Sequence, residues 1–159
     1  NQPKSVCFVP ENRLEITTEG GLDVKKNFNY LKQMIDPMLK TDIKISLFID
    51  QSEEQLYATK DLGVNTIELH TGAYANAFEK NIDLEFELNR LQSSAMLAED
   101  LSLNCHAGHG LNFENVVSIA KIKNILELNI GHFIIADSIF NGLQNSIQKM
   151  KNIINEASK

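Results

Sequence analysis

The fold is decided by the stretch LELNIGHFIIADSI at residues 126–139. Residues 126–130 alternate apolar and polar side chains, as a β-strand does, and Gly131-His132 then leads into a short apolar helix over residues 133–139. A short helix directly after a last strand is a recurrent feature of phosphate-binding barrels, because its free amide N–H groups and its dipole face the anion. The stretch therefore favours a TIM (β/α)8 barrel over an open doubly wound α/β sheet.

The rest of the chain repeats the same strand-then-helix unit. Four further β-rich runs, each followed by a stretch of helical period, predict strands at residues 5–9, 43–49, 66–70 and 103–106. A complete barrel takes about 250 residues and eight strands. We therefore expect residues 1–159 to be the C-terminal portion of a single barrel domain, supplying about its last five βα units.

Local signals predict where helices begin and end. Pro37 is expected to end or kink the first helix early. Residues 52–55 form a capping-box pattern at the start of the second helix, which Gly63 is expected to stop. A loop at residues 71–76 is expected before the third helix, and Asn112 is expected to cap the fourth.

The composition limits the classes of function. The chain has 159 residues, of which 43% are hydrophobic and 23% are charged, with a net charge of -6. Binding to a nucleic-acid backbone needs concentrated Lys and Arg, so small molecules are the better partners. We find neither an apolar run long enough to cross a bilayer nor a signal pattern, and therefore predict a cytoplasmic protein. Cys7 and Cys105 lie in apolar runs without CxxC spacing, which predicts two reduced, packed thiols.

The histidines fall at one end of the predicted sheet. All four, His70, His106, His109 and His132, lie at the C-terminal end of a predicted strand or in the loop just after it, where barrel enzymes carry their active sites. His109 stands between two glycines, and an imidazole there could transfer protons near neutral pH; a tight turn with an incidental histidine is the alternative. The HxxH formed by His106 and His109 is a weak metal signal because it lacks a matched third ligand, so no metal is expected.

Glu68 lies inside an otherwise apolar predicted strand. The two-residue period of a strand puts Glu68 and His70 on the same side of the sheet. If that side faces the barrel mouth, a buried carboxylate there implies chemistry directed at a substrate. If it faces a helix, Glu68 is an outer residue with an ion-pair partner, and the pattern alone leaves both arrangements open.

Two segments are candidates for anion binding. Gly131-His132, at the start of the short helix, offers backbone amides to a phosphate, although a simple strand-to-helix turn would look the same. The loop at residues 15–21 supplies hydroxyls and two glycines that could hold a second polar ligand, or it is a solvated loop. Arg13 and Arg90 are the chain's two arginines, so two phosphorylated substrates would need amides as well.

Six motifs together resemble the pyridoxine 5′-phosphate synthase family of vitamin B6 biosynthesis, in family order and across essentially the whole chain. They are VPE (9–11), TTEGGLDV (17–24), SLFID (46–50), IELHTG (67–72), AGHGL (107–111) and ELNIGH (127–132). The resemblance implies condensation of 1-deoxy-D-xylulose 5-phosphate with 3-amino-2-oxopropyl phosphate, which closes a pyridine ring and releases phosphate and water. It implies no cofactor and no metal, and it implies assembly as a homo-octamer.

The resemblance also assigns roles to residues of this chain. His109 matches the family's proton donor, and Glu68 matches its carboxylate for transition-state stabilisation. Three residues match contacts to the aminoketone phosphate, and Thr17 matches a contact to the deoxyxylulose phosphate. The three contacts are Gly110, Gly131 and His132.

The resemblance has departures that keep alternatives open. The family's other catalytic histidine and glutamate, and its phosphate-binding arginines, belong to its first three strands, which have no counterpart here, so this chain alone is expected to be inactive. His106 stands where an asparagine is expected. The alternatives are a non-catalytic phosphate-binding barrel fragment and another phosphosugar-handling barrel enzyme; an aldolase is disfavoured because no strand end carries a Schiff-base lysine.

Overall fold

Five parallel strands form one sheet in a computed structural model that describes residues 3–10 and 20–159. The strands are paired in chain order, β1-β2-β3-β4-β5, and each is parallel to its neighbour. They are β1 (Ser5–Phe8), β2 (Lys44–Ile49), β3 (Thr66–His70), β4 (Asn104–Gly108) and β5 (Ile125–Asn129). The helices are α1 (Phe28–Met38), α2 (Glu53–Asp61), α3 (Gly72–Lys80), α4 (Leu84–Asp100), α5 (Val116–Ala120), α6 (His132–Asn141) and α7 (Leu143–Ala157).

The helices cover one face of the sheet, and the core lies between them. Every second residue of the strands points into that core, including Leu47, Ile67 and Leu69, which are fully buried. They pack with helix residues such as Ile35 and Leu91. Because the buried rows come from adjacent strands at matched register, burial of this face fixes which side chains must lie on the other face.

The opposite face carries polar side chains. Cys7, Phe48, Glu68, His106 and Asn129 lie on it, in neighbouring register positions of the five strands. In a barrel the helix-covered face is the outside and this face is the interior. The sequential parallel order with helices on one side confirms the predicted fold class, which is α/β with five successive βα units of the barrel type.

Several local predictions are confirmed and others are wrong. Pro37 lies one residue before the end of α1, and Gly63, at φ +78, follows the end of α2, as expected. The capping box does not form, because the Gln55 side-chain oxygen accepts the backbone N–H of Val24 at 2.7 Å instead. Ser52 still occupies the N-cap position with extended backbone.

The loop predicted at residues 71–76 is instead the start of helix α3. The alanines at 73, 75 and 77 favour a helix. The chain between α3 and α4 turns at Asn81 and Asp83, both of which have positive φ. The predicted cap at Asn112 is wrong, because the N-cap residue of α5 is Asn115. The Asn112 side-chain oxygen instead accepts the backbone N–H of Asn115 at 2.9 Å, in the turn that precedes the helix. In the described part of the chain, no helix has the length and apolar character needed to cross a membrane.

Candidate active site at the carboxyl end of the strands

A cavity of about 760 Å³ opens at the carboxyl ends of the strands, on the polar face of the sheet. Its wall includes five of the residues singled out from the sequence: Glu68, His109, Gly110, Gly131 and His132. They come from three different βα units. The geometry therefore gathers the predicted carboxylate, imidazoles and backbone amides around one space, which is what a substrate site requires.

The loop after β4 holds His109 in an unusual backbone conformation. His109 has φ +85, a region that residues with a side chain rarely adopt, and Gly110 follows with φ +75. The Thr71 hydroxyl lies 2.8 Å from the carbonyl oxygen of Gly108 and also within hydrogen-bond distance of that of His109. The Asn115 side-chain amide donates to the Gly110 carbonyl at 3.0 Å. These contacts stabilise a strained turn that directs the imidazole to the cavity.

The His109 ring is half-buried among other rings. Its centroid lies 4.8 Å from that of His70 in an edge-to-face arrangement and 6.5 Å from that of Phe48. Burial lowers the pKa of the His109 imidazole, and the nearby His70 and His132 lower it further because a second positive charge is unfavourable there. A His109 with a lowered pKa releases its proton readily.

Glu68 lies on the cavity side, which settles the question that the pattern left open. The Asn129 side-chain amide donates to Glu68 Oε2 at 2.7 Å, and Cys7 Sγ lies 3.9 Å from the same oxygen. Burial raises the pKa of the Glu68 carboxyl, while the hydrogen bonds from Asn129 and Cys7 oppose that rise. The carboxylate is thus oriented by side chains from both edge strands of the sheet, β1 and β5.

The start of α6 forms the far side of the cavity. Gly131 is the N-cap residue and His132 the first residue of this helix, and both are exposed. A methyl group at Gly131 would meet nothing within 4 Å, so the space in front of these amides is open. The Phe133 ring packs edge-to-face on that of Phe113 at 4.7 Å, which anchors the first turn of the helix beside the cavity. An anion could approach the helix amides there.

The other predicted candidates are placed differently. His106 lies on the same face of the sheet, with Nδ1 3.7 Å from Oε1 of Glu127, and does not line the cavity. His70 lies behind His109 and is buried. Thr17 and the rest of its loop up to residue 19 lie outside the described residues. The position predicted for the four histidines, at or just after the carboxyl end of a strand, is confirmed for His70, His109 and His132, whereas His106 lies in the middle of β4.

The residues that sequence reasoning did not single out are the partners of the predicted ones. Asn129 orients Glu68, and Asp50 accepts a hydrogen bond from His70 at 3.0 Å between Oδ1 and Nδ1. Each lies at the end of a strand or just after it, so their positions carried the signal. Cys7 is free and exposed on the polar face, contrary to the expected packed thiol, whereas Cys105 is buried and burial raises its pKa to about 12.

Gly108 is required at the base of the cavity. A Cβ on it would lie 2.5 Å from Oε1 of Glu68 and 2.7 Å from the backbone oxygen of Asn129. We expect Gly108→Ala to lower the free energy of unfolding by about 1–3 kcal/mol, since the backbone oxygen must shift. Urea denaturation followed by circular dichroism measures it, and Gly131→Ala is the matched control because its Cβ meets nothing within 4 Å. Equal stability of the two variants would contradict the clash.

Metal binding receives no support from the described side chains. Within residues 3–10 and 20–159, no group of three or more His, Cys, Asp or Glu side chains is placed to hold a metal ion. Arg90, the arginine of this part of the chain, is paired with Glu87 on helix α4 at 2.9 Å and is absent from the cavity wall. Among the described residues, the cavity wall has neither Arg nor Lys side chains, so its candidate groups for an anion are backbone amides and imidazoles.

A parallel sheet of successive βα units, with a cavity at the carboxyl ends of its strands and a short helix after its last strand, is the arrangement of α/β-barrel proteins. The family model described as Pyridoxal phosphate biosynthesis protein PdxJ matches residues 1–156 of this chain. The chain belongs to that family. The match covers every element that builds the cavity.

Three relatives illustrate the similarity, and each is named pyridoxine 5′-phosphate synthase. The protein from Sulfurihydrogenibium sp. (strain YO3AOP1) is 52% identical over 99% of this chain and 64% of its own length. The Zymomonas mobilis protein is 47% identical over 99% of this chain and 60% of its own length. The protein from Ehrlichia ruminantium (strain Welgevonden) is 44% identical over 96% of this chain and 62% of its own length. The chain thus spans about three fifths of the length of these relatives.

Proposed function

We propose that this chain is part of a pyridoxine 5′-phosphate synthase, which condenses 1-deoxy-D-xylulose 5-phosphate with 3-amino-2-oxopropyl phosphate. The observation that carries the proposal is that Glu68, His109 and the Gly131-His132 amides line one cavity. The relatives' shared name supports it. The product is pyridoxine 5′-phosphate, released with inorganic phosphate and water.

In this proposal His109 is the proton donor. Ring closure expels water and phosphate, and each leaving oxygen departs more easily when it receives a proton. The imidazole is half-buried at the cavity wall, and its lowered pKa makes the imidazolium a stronger acid than an exposed histidine. The fixed backbone of the loop holds the donor in place between turnovers.

Glu68 stabilises the transition state in the same proposal. Its carboxylate is held by Asn129 and faces the cavity, where a cationic imine-like centre would form during condensation. A fixed negative charge stabilises such developing positive charge without having to reorganise. The hydrogen bond at 2.7 Å from Asn129 keeps one oxygen fixed while the other is directed past Gly108.

The phosphate of the aminoketone binds at the start of α6. Gly131 and His132 offer amides at the positive end of a ten-residue helix, and Gly110 lines the same cavity. Thr17 is proposed to contact the other substrate's phosphate.

We further propose that the protein is cytoplasmic, that residues 1–159 are the C-terminal portion of one barrel domain, and that the protein assembles as a homo-octamer. Family membership supports these three statements.

Phosphate release from the two substrates tests the function. Purified full-length protein of verified mass is incubated with both substrates, and released inorganic phosphate and the pyridine product are quantified. Product that requires both substrates supports the synthase. Phosphate release from one substrate alone indicates a different phosphosugar enzyme, and binding without turnover by the full-length protein indicates a non-catalytic module.

As the pH rises, the rate should fall at a lower pH than it would if the proton donor were an ordinary histidine. A proton donor acts in its protonated form, and the pKa of His109 is lowered from its usual value near 6.5. The protonated fraction therefore declines as pH rises through that lowered value, so the alkaline limb assigned to His109 should lie below pH of about 6.5. The pH dependence of kcat/KM, which reports the free enzyme, measures this, and an assigned limb above that value would contradict it.

Gly131→Ala should weaken phosphate binding without weakening the fold. The added methyl projects into the open space before the α6 amides, where the anion is proposed to lie. We expect the dissociation constant for inorganic phosphate, from ³¹P NMR titration, to rise by about tenfold, which is the loss of one good amide contact. Ile139→Ala, at an exposed position in the last turns of α6, is the control for binding; equal affinities in both variants would count against the site.

A further inference from the structure

We infer that the Asp50–His70 pair is a positioning device that fixes the His109 imidazole against the cavity. The effect of this pair on catalysis rests on the proposed function, whereas the contacts that position the ring do not depend on it. Asp50 follows β2, His70 ends β3 and His109 follows β4, so the three residues lie side by side at the carboxyl ends of neighbouring strands. None of the sequence patterns assigned a role to this pair.

The first contact orients His70. Its Nδ1 lies 3.0 Å from Oδ1 of Asp50, while its side chain is about nine-tenths buried. A carboxylate accepts only, so Nδ1 carries the proton, and this fixes both the tautomer and the plane of the ring. The Gln51 side-chain amide also donates to the His70 backbone oxygen, which holds the end of β3. Asp50 itself is half exposed and its pKa is lowered, chiefly by the bond to His70.

The second contact joins His70 to His109. The Nε2 atom of His70 is buried and has no hydrogen-bond partner among the described residues. The ring meets that of His109 edge-to-face at 4.8 Å, and the Phe48 ring meets His70 at 5.1 Å from another side. A buried nitrogen without a partner is costly in a purely structural histidine, so its retention at this place points to a role toward the neighbouring imidazole.

The space between the two imidazoles is closed to other groups. A Cβ on Gly72 would lie 2.5 Å from Nε2 of His70 and 3.1 Å from Cδ2 of His109. Only a glycine at this position lets the rings meet. His70 therefore serves as a rigid wall behind the proposed donor, and any displacement of it changes where the His109 ring can lie.

The surrounding charges decide how the pair affects titration. His109 is faced by His70 from β3 and by His132 from α6, and Asp50 is faced by Arg90 from α4 in addition to His70. Both imidazoles disfavour protonation of His109. Removing His70 should therefore raise the pKa of His109 and move the alkaline limb of the rate profile to higher pH.

The first experiment is independent of catalysis. Long-range ¹H–¹⁵N NMR on the full-length protein reads the tautomer of His70 and follows the titration of His109. We expect the Nδ1–H tautomer for His70, and we expect Asp50→Asn to perturb the His109 ring signals, whereas Asp61→Asn on the exposed end of α2 leaves them unchanged. Unperturbed His109 signals in Asp50→Asn would overturn the inference, whether or not the protein is a synthase.

The second experiment measures turnover in two substitutions of His70. His70→Asn keeps a nitrogen near Nδ1 for Asp50 but removes the ring that contacts His109; we expect kcat to fall by about tenfold with little change in KM, and the alkaline limb to shift upward. His70→Gln places an amide nearer the Nε2 position and should partly restore kcat. If His70→Asn fails to fold by circular dichroism, His70→Gln carries the test. A wild-type kcat and pH profile in the folded variant would refute the positioning role, while a wild-type protein without turnover would refute only the proposed function.

Discussion

His109→Ala in the full-length protein is expected to lower the rate of ring closure by about 10²–10⁴-fold, which is the range that a positioned general acid contributes. The imidazole at the cavity wall is the group that this substitution removes. Substrate binding should change little, because the proposed phosphate contacts are amides of other loops. Steady-state kinetics on product formation measure the loss in kcat and the change in KM separately.

The fold should survive that substitution. The backbone at φ +85 is held by Thr71 and Asn115, neither of which bonds to the imidazole of His109. His109→Gly should even be more stable by about 1 kcal/mol, since glycine has no side-chain penalty at positive φ. Ser102→Ala, another exposed position with positive φ, is the control for activity. Unchanged turnover in His109→Ala would remove this residue from the mechanism.

Glu68→Gln is expected to lower kcat by about 10²–10³-fold, the cost of removing one fixed electrostatic group from an enzyme site. The amide has the size of the carboxylate, and its oxygen can still accept the bond from Asn129, so the change is mainly one of charge. Rates at saturating substrate measure the effect.

The matched control for that substitution is Glu114→Gln, in the exposed turn before α5. Thermal unfolding of Glu68→Gln should occur at or above the wild-type temperature, because a half-buried carboxylate with a raised pKa is not a stabilising charge. A full rate in Glu68→Gln would show that the carboxylate does not stabilise the transition state.

The sheet could be predicted from the sequence because strands buried on one face alternate apolar and polar residues with a period of two. The five strands are confirmed to within two residues at either end, and the βα order follows directly from their alternation with helices. The side of Glu68 could not be predicted, since a lone polar residue in a strand looks the same facing inward or outward. It was settled by register, which places Glu68 between Phe48 and His106 on the polar face.

The sequence identified residues that line the cavity, but it did not identify the partners that orient them. His109 and Gly131 stand out as histidine between glycines and as glycine before a helix, which are local signals. The contacts of Asn129 with Glu68 and of Asp50 with His70 join residues 61 and 20 positions apart, so no local pattern reveals them. The capping box failed for the same reason: Gln55 bonds to residue 24, on another segment.

The three chemical groups at the cavity arrive on separate units of the chain: the carboxylate on β3, the imidazole after β4 and the amides after β5. The hydrogen bonds described above for the carboxylate and for the His109 loop come from residues outside the segment that opens α6. Replacing the segment that opens α6 would let such a scaffold bind a different anion while His109 and Glu68 stay in place. Diversification of ligand preference by loop replacement, one unit at a time, is the evolutionary freedom that this arrangement confers.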